Sequence, residues 1–171
     1  MRRDISITLR YAIIFLFSLF YKAFYPLLSV LTLYSSYFIL GIFYPASLNE
    51  NIISFGSKSI QLIDACISGL AYLLLLVLNL SVEMPFSKRA KSLCLSFLLF
   101  FVYNLFRIVF LSSLFLSEFS FFDAAHLFFW YAGSLIAVLL IWLLEIKLFR
   151  LTDIPVWSDM QYLMKELKSK R

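Results

Sequence analysis

Reactive residue types are scarce in this chain. It holds one histidine, two cysteines and four glycines in 171 residues. One His with two separated Cys does not make a metal-ligand set, so no metal is expected, and no cofactor either. The cysteines fall on different apolar runs, at what should be opposite ends, which argues against a structural disulfide. Charge is sparse too: Asp, Glu, Lys and Arg make up 15% of the residues, leaving no polar stretch long enough for a soluble catalytic domain. The net charge of +5 gathers at Lys88-Arg89-Ala90-Lys91, at Lys147 and Arg150, and from Lys165 to Arg171. No soluble segment carries a basic face interleaved with stacking aromatics. The pattern therefore reads as cytoplasmic loops touching anionic lipid, and nucleic acid is not an expected partner. There are no internal repeats and no low-complexity segments. The first apolar run lacks a small-residue cleavage site and continues into more apolar sequence, so a cleavable leader is not expected.

What the chain has in abundance is apolar surface. At 63% hydrophobic residues, a domain of this size cannot bury its side chains away from water. The fold class expected is all-α: a polytopic integral membrane helical bundle of about five transmembrane or membrane-embedded helices. Residues 1–150 should form one membrane-embedded catalytic domain with its core at 60–150, and residues 151–171 a basic cytoplasmic tail. Candidate helices cover 5–24, 27–44, 63–82, 93–116 and about 124–146. Lys22 and Pro26 are expected to divide the first two. Asn49 to Gln61 is the most polar internal stretch and reads as an exposed loop with an Ile-rich, extended part. Asp123 could cap the last apolar helix, and Asp159 to Lys168 suits a short amphipathic surface helix.

Orientation follows from the positive-inside rule. The Lys88–Lys91 loop and the tail lie inside, so the segments before Cys66 and before His126 lie outside. The N-terminus fits less simply. Five full crossings would put Arg2, Arg3 and Arg10 outside, whereas four would need residues 5–44 to make one crossing plus an in-plane or re-entrant helix.

Arg107 stands out within this frame. It is the one charge inside Leu93 to Leu116, where a cation costs about 2.5–3.5 kcal/mol on insertion scales, so it should face a protein interior or a wet cavity. It lies about 21 Å from the inner end of its helix, at about 1.5 Å per residue. Cys66 near the start of one span and His126 near the start of another fall at similar depth, in the outer half of the membrane. A thiol needs a neighbouring base or cation to react as thiolate. His126 can take that proton and later protonate a leaving amine. Arg107 can hold the thiolate, a substrate carboxylate or an oxyanion. Together they are the parts of a cysteine acyl-transfer enzyme. Asp64 and Asp123 are near in sequence, and Asp123 could orient the imidazole or merely cap its helix. Gly69 could permit close helix approach, and Asn104 could bond across helices. Cys94, with no polar neighbour at its depth, reads as a small hydrophobe.

Three segments resemble the archaeosortase/exosortase family of membrane transpeptidases. They are Asp64-Ala65-Cys66-Ile67-Ser68-Gly69-Leu70-Ala71-Tyr72, Asn104-Leu105-Phe106-Arg107-Ile108 and Asp123-Ala124-Ala125-His126, in the family's order and covering residues 60–150. Many members have Cys-Ser-Gly. Here Ile67 intervenes, which is nearer the archaeal side of the family, as is the Ala-Tyr that follows. The resemblance implies Cys66 as nucleophile, Arg107 as thiolate or oxyanion partner and His126 as acid/base. It also implies a substrate: exported surface proteins bearing a C-terminal sorting signal of recognition motif, transmembrane helix and basic tail. Cleavage would fall at the outer face of the cytoplasmic membrane, with transfer to a lipid or other acceptor. The rival readings are a non-catalytic subunit that binds a small molecule, such as a transporter component, which predicts tolerance of Cys66→Ser, and an assembly protein whose Arg107 pairs with a partner's acid.

Overall fold

The computed structural model describes residues 2–169. The tail's Lys170 and Arg171 lie outside the described residues, as do the side chains of Arg2 and Arg3. Helix α1 (Arg2–Phe20) passes through one 3-10 turn, Tyr21–Phe24, into α2 (Tyr25–Phe43). Residues 4–43 thus form one apolar rod of 40 residues, about 60 Å long at about 1.5 Å per residue. The expected division at Lys22 and Pro26 is a tightening of this rod and not a reversal. Pro26 falls in the first turn of α2, where its missing N–H costs no intrahelical bond.

A three-stranded antiparallel sheet follows, made of β1 (Ser47–Asn49), β2 (Ile52–Phe55) and β3 (Lys58–Gln61) in the order β1-β2-β3. This is the extended part expected in the polar stretch. Its hairpin turns at Gly56, whose φ of 62° a residue with a Cβ adopts only with strain. Then come α3 (Asp64–Ile67), α4 (Gly69–Leu80), α5 (Phe86–Leu116) and α6 (Phe122–Phe128). A π-helical turn, Phe129–Gly133, leads into α7 (Ser134–Phe149), and α8 (Trp157–Ser169) ends the described chain. Three stretches are long and apolar enough to cross a membrane, 4–43, 86–116 and 122–149, with the shorter 64–80 beside them. The chain is an all-α membrane bundle with a small sheet at one end.

Helix α5 organises the packing. Its buried residues include Ser92, Ser96, Phe100, Asn104, Ile108 and Ser112, one at every fourth position. Residues four apart stack into one ridge of a helix. The ridge is mostly small or polar, while Leu98, Val102 and Phe106 on the same helix are exposed. In lipid this is the stable arrangement: apolar groups face outward at no cost, and small or hydrogen-bonding groups let helices approach. Tyr72, Leu75, Phe100, Val138 and Ile141 join α4, α5 and α7 in one core. Leu33, Leu40, Ile53, Leu62 and Ile108 join α2, the sheet and α5 in a second.

The end opposite the sheet gathers the basic residues. Arg10 donates to the Leu80 carbonyl (3.3 Å) and pairs with Asp159 of α8 (2.9 Å). Arg89 donates to the carbonyls of Asn79 (2.6 Å) and Val82 (2.8 Å). Arg10 therefore shares an end with the Lys88–Lys91 segment.

Candidate active site

The site begins at a break. Helix α3 is a single turn, Asp64–Ile67, that stops at Ser68 with φ 56° and ψ 38°. A left-handed serine costs about 1–3 kcal/mol and persists only where its surroundings fix it. Asn104 and Arg107, on the buried ridge of α5, do the fixing. The Asn104 amide donates to the Cys66 carbonyl (2.9 Å), and its oxygen accepts from the Ser68 hydroxyl (3.4 Å). Arg107 donates to the Ala65 carbonyl (3.1 Å) and to Ser134 Oγ at the start of α7 (2.8 Å). The turn carrying Cys66 is thus held by two α5 side chains through its own backbone. Gly69 lets α4 start against the rod: a Cβ there would stand 2.4 Å from the Tyr25 ring, the close approach that its small size suggested.

Cys66, Arg107 and His126 line one cavity of about 500 Å³, between β3, α3, α5 and α6. Cys66 is half-buried with a free thiol, and Arg107 is buried. Among the described residues, Arg107 hydrogen-bonds only neutral groups, so its charge meets no carboxylate. An internal cation without a counter-charge is costly, and this one borders the cavity. His126 stacks on Phe122 (5.5 Å between ring centroids, 5° between planes), with Trp130 at 6.0 Å. The stacking orients the imidazole plane, and His126 as a whole is exposed.

The supporting residues divide. Asn104 and Gly69 are built into the turn. Asp64 opens α3 on its exposed side, and Asp123 is exposed in the first turn of α6. The capping expected of Asp123 does not occur: the N-cap is Phe121, with no side-chain cap, because Asp123 already lies inside the helix. Two participants were not foreseen. Ser134 is one hydroxyl in an apolar helix, brought to Arg107 just after the π-helical turn, a distortion often found at functional sites. Ser68 gave no sign that its backbone would be left-handed.

The outer wall is β3, tied to the end of α5. Lys58 Nζ donates to the Leu116 carbonyl (3.0 Å), pairs with Glu118 (2.8 Å) and lies 5.8 Å from the Phe115 ring centre. Glu118, outside the apolar helices, has its carboxyl held below the usual 4.5 by the Lys58 ammonium.

Compared with known proteins, residues 3–157 match the family model described as transmembrane exosortase. No curated protein and no solved structure matches the chain.

Proposed function

The chain belongs to the transmembrane exosortase family, and from that premise we propose that it is a cysteine-dependent membrane protease/transpeptidase of the archaeal-type branch. Its substrates in this reading are exported proteins ending in a recognition motif, a transmembrane helix and a basic tail. The observation that carries it is the convergence on one cavity of a half-buried thiol, a buried arginine with no carboxylate partner and the chain's single histidine. The insertion of Ile67 between Cys66 and Ser68 favours the archaeal branch. The gathering of basic residues at the opposite end supports an extracytoplasmic site, by the positive-inside rule. Residues 1–150 then form the catalytic domain, and residues 151–171 the cytoplasmic tail.

The chemistry follows from the residue types. His126 accepts the Cys66 proton, and the sulfur attacks the scissile carbonyl carbon. The oxyanion so formed is stabilised by guanidinium donors of Arg107 not already bonded to Ala65 and Ser134. Collapse breaks the C–N bond, His126 returns its proton to the leaving amine, and a thioester joins the substrate's new C-terminus to Cys66. An acceptor nucleophile, a lipid group or water, then attacks the thioester and frees the thiol.

The test is mass spectrometry of proteins with such tails in cells carrying wild-type protein or Cys66→Ala. Tails removed only where the thiol is present is the expected result, and the mass of the new C-terminus identifies the acceptor. Unchanged processing sinks the peptidase reading in favour of a small-molecule-binding subunit.

A further inference from the structure

We infer that the substrate segment around the scissile bond binds as a fourth strand on the free edge of β3, held by main-chain hydrogen bonds to Ser59 and Gln61. This rests on the peptidase reading above and says how that site takes hold of its peptide.

The sheet order β1-β2-β3 leaves β3 at an edge. The ladder fixes which of its backbone groups are free. Leu62 N–H donates to the Asn51 carbonyl (3.0 Å), and β2 pairs with β3 through Ile53↔Ile60 and Phe55↔Lys58. Hydrogen-bonded positions alternate along an antiparallel strand. Lys58, Ile60 and Leu62 therefore turn their N–H and C=O toward β2, while Ser59 and Gln61 turn theirs away. The free side is the cavity side. Residues 59 to 63 all line the cavity that holds Cys66. Successive side chains of a strand point to opposite faces, so an unbroken run of lining residues means that the strand's edge borders the space.

The edge also leads to the thiol. Past Gln61 the chain turns at Ile63, whose carbonyl accepts the Cys66 N–H (2.8 Å). A peptide laid along Ser59 and Gln61 is thereby aimed at the turn that carries the sulfur. The Lys58 contacts to Leu116 and Glu118 hold the hairpin in place before any peptide arrives. An extended peptide is the occupant that fits a row of unpaired main-chain donors and acceptors beside a nucleophile.

The experiment uses the full chain in lipid nanodiscs. Its probe is a synthetic peptide carrying the whole tail of the exported protein whose processing depends on Cys66, N-methylated at one backbone amide at a time. Only alternate residues of an added strand point their N–H at β3. Methylation at alternate positions should therefore lower kcat/KM about tenfold or more, as expected for a lost hydrogen bond that leaves its partner unpaired, with intervening positions within about twofold. Gln61→Pro, which removes an outward N–H and leaves the β2–β3 ladder intact, should lose activity to a similar degree. Cleavage that persists with a flat or non-alternating methylation profile overturns the inference and leaves the peptidase reading standing. If the unmethylated peptide is not cleaved at all, the peptidase reading falls and takes this one with it. The methylation series needs only wild-type protein, so misfolding of Gln61→Pro would not rescue the idea.

Discussion

Two arginines are buried in this bundle to nearly the same degree, and they live differently. Arg10 is 6% exposed and Arg107 8%. Arg10, at the basic end, meets a carboxylate: Asp159 lies at 2.9 Å, almost fully enclosed, with the Tyr11 hydroxyl on its other oxygen at 3.4 Å. Polar groups at the same end bond one another in part, while Asn79 Oδ1 and Glu145 Oε2 are buried without a partner among the described residues. Asn79 donates to Ser92 (2.8 Å), and Ser92 donates to Glu145 (2.6 Å). Among the described residues, Arg107, at the sheet end, hydrogen-bonds only a backbone carbonyl and a serine hydroxyl, and it faces a cavity. A buried charge already paired is an element of structure. One left with neutral partners beside a space and a thiol is, in the reading proposed above, available to an oxyanion formed there.

The comparison breaks most sharply at Asp159. Asp159→Ala should strand Arg10 as an unpaired buried cation and cost about 3–5 kcal/mol, read as a lower midpoint of unfolding in detergent. Tail removal per folded molecule should stay at the wild-type rate, because α8 lies at the end opposite the cavity. Replacing both partners, Arg10→Leu with Asp159→Leu, should recover most of the loss, since a paired charge is worth little more than the apolar groups that can replace it. If Asp159→Ala slowed chemistry in folded protein, the closed end would not be merely structural.

At the open end the balance should invert. Arg107→Lys keeps the charge, but one ammonium cannot bridge Ala65 and Ser134 and also present a donor to the cavity. Thioester formation should fall about 10²–10³-fold, the usual cost of an oxyanion donor, with a far smaller change in stability than at Asp159. Single-turnover trapping of the acyl-enzyme measures the first, and thermal unfolding the second. Equal loss of stability in the two variants would erase the difference drawn here between the arginines.

Much of this was legible beforehand, for a physical reason. Polar groups are rare in an apolar sequence, so Cys66, Arg107 and His126 could be expected at one depth from position, and all three line one cavity. The polar stretch at 49–61 reads as an exposed loop with an Ile-rich extended part, and the structure makes of it a three-stranded sheet that buries Ile53. The small and ordinary could not be read. Ser134 looks like any serine in a membrane helix, and the Ser68 backbone is set by Asn104 from 36 residues away. The pair Arg10–Asp159 spans 149 residues, which no local pattern reports. Pro26 misled because a proline that begins a helical turn and one that ends a helix look alike in sequence.

Asn104 is both a ridge residue and the clamp on the turn that carries Cys66. Asn104→Ala should leave the Cys66 carbonyl and the Ser68 hydroxyl without their partner, costing about 1–3 kcal/mol. It should lower kcat about tenfold through loosened thiol positioning, with KM for the tail nearly unchanged, because Asn104 is not among the residues that line the cavity. Asn104→Asp, which keeps an acceptor for Ser68 but loses the donor to Cys66, should restore neither stability nor rate. A KM effect as large as the kcat effect would mean that Asn104 contacts substrate.

The smallest effect belongs to the tie that holds the sheet over the open end. Glu118 is 80% exposed at its side chain, and Lys58 28%, so water and salt screen the pair heavily. Its carboxyl titrates below the usual 4.5 because the Lys58 ammonium favours the charged form. The sign follows from that lowering: the pair's contribution is complete above the unfolded pKa and disappears as pH falls through the lower folded one. The Ile60 amide, inside the β2–β3 ladder, should therefore exchange slightly more slowly than in Glu118→Gln above about pH 4.5, and the two should converge as pH falls through the lower folded pKa. The difference should shrink as salt is raised. Lys58→Met should lose more at every pH, because it also gives up the bond to the Leu116 carbonyl and the contact with Phe115. An Ile60 amide equally protected in all three proteins would mean that the hairpin is held by its apolar contacts with Leu33, Leu40 and Ile108 alone, and that the wall of the cavity owes nothing to charge.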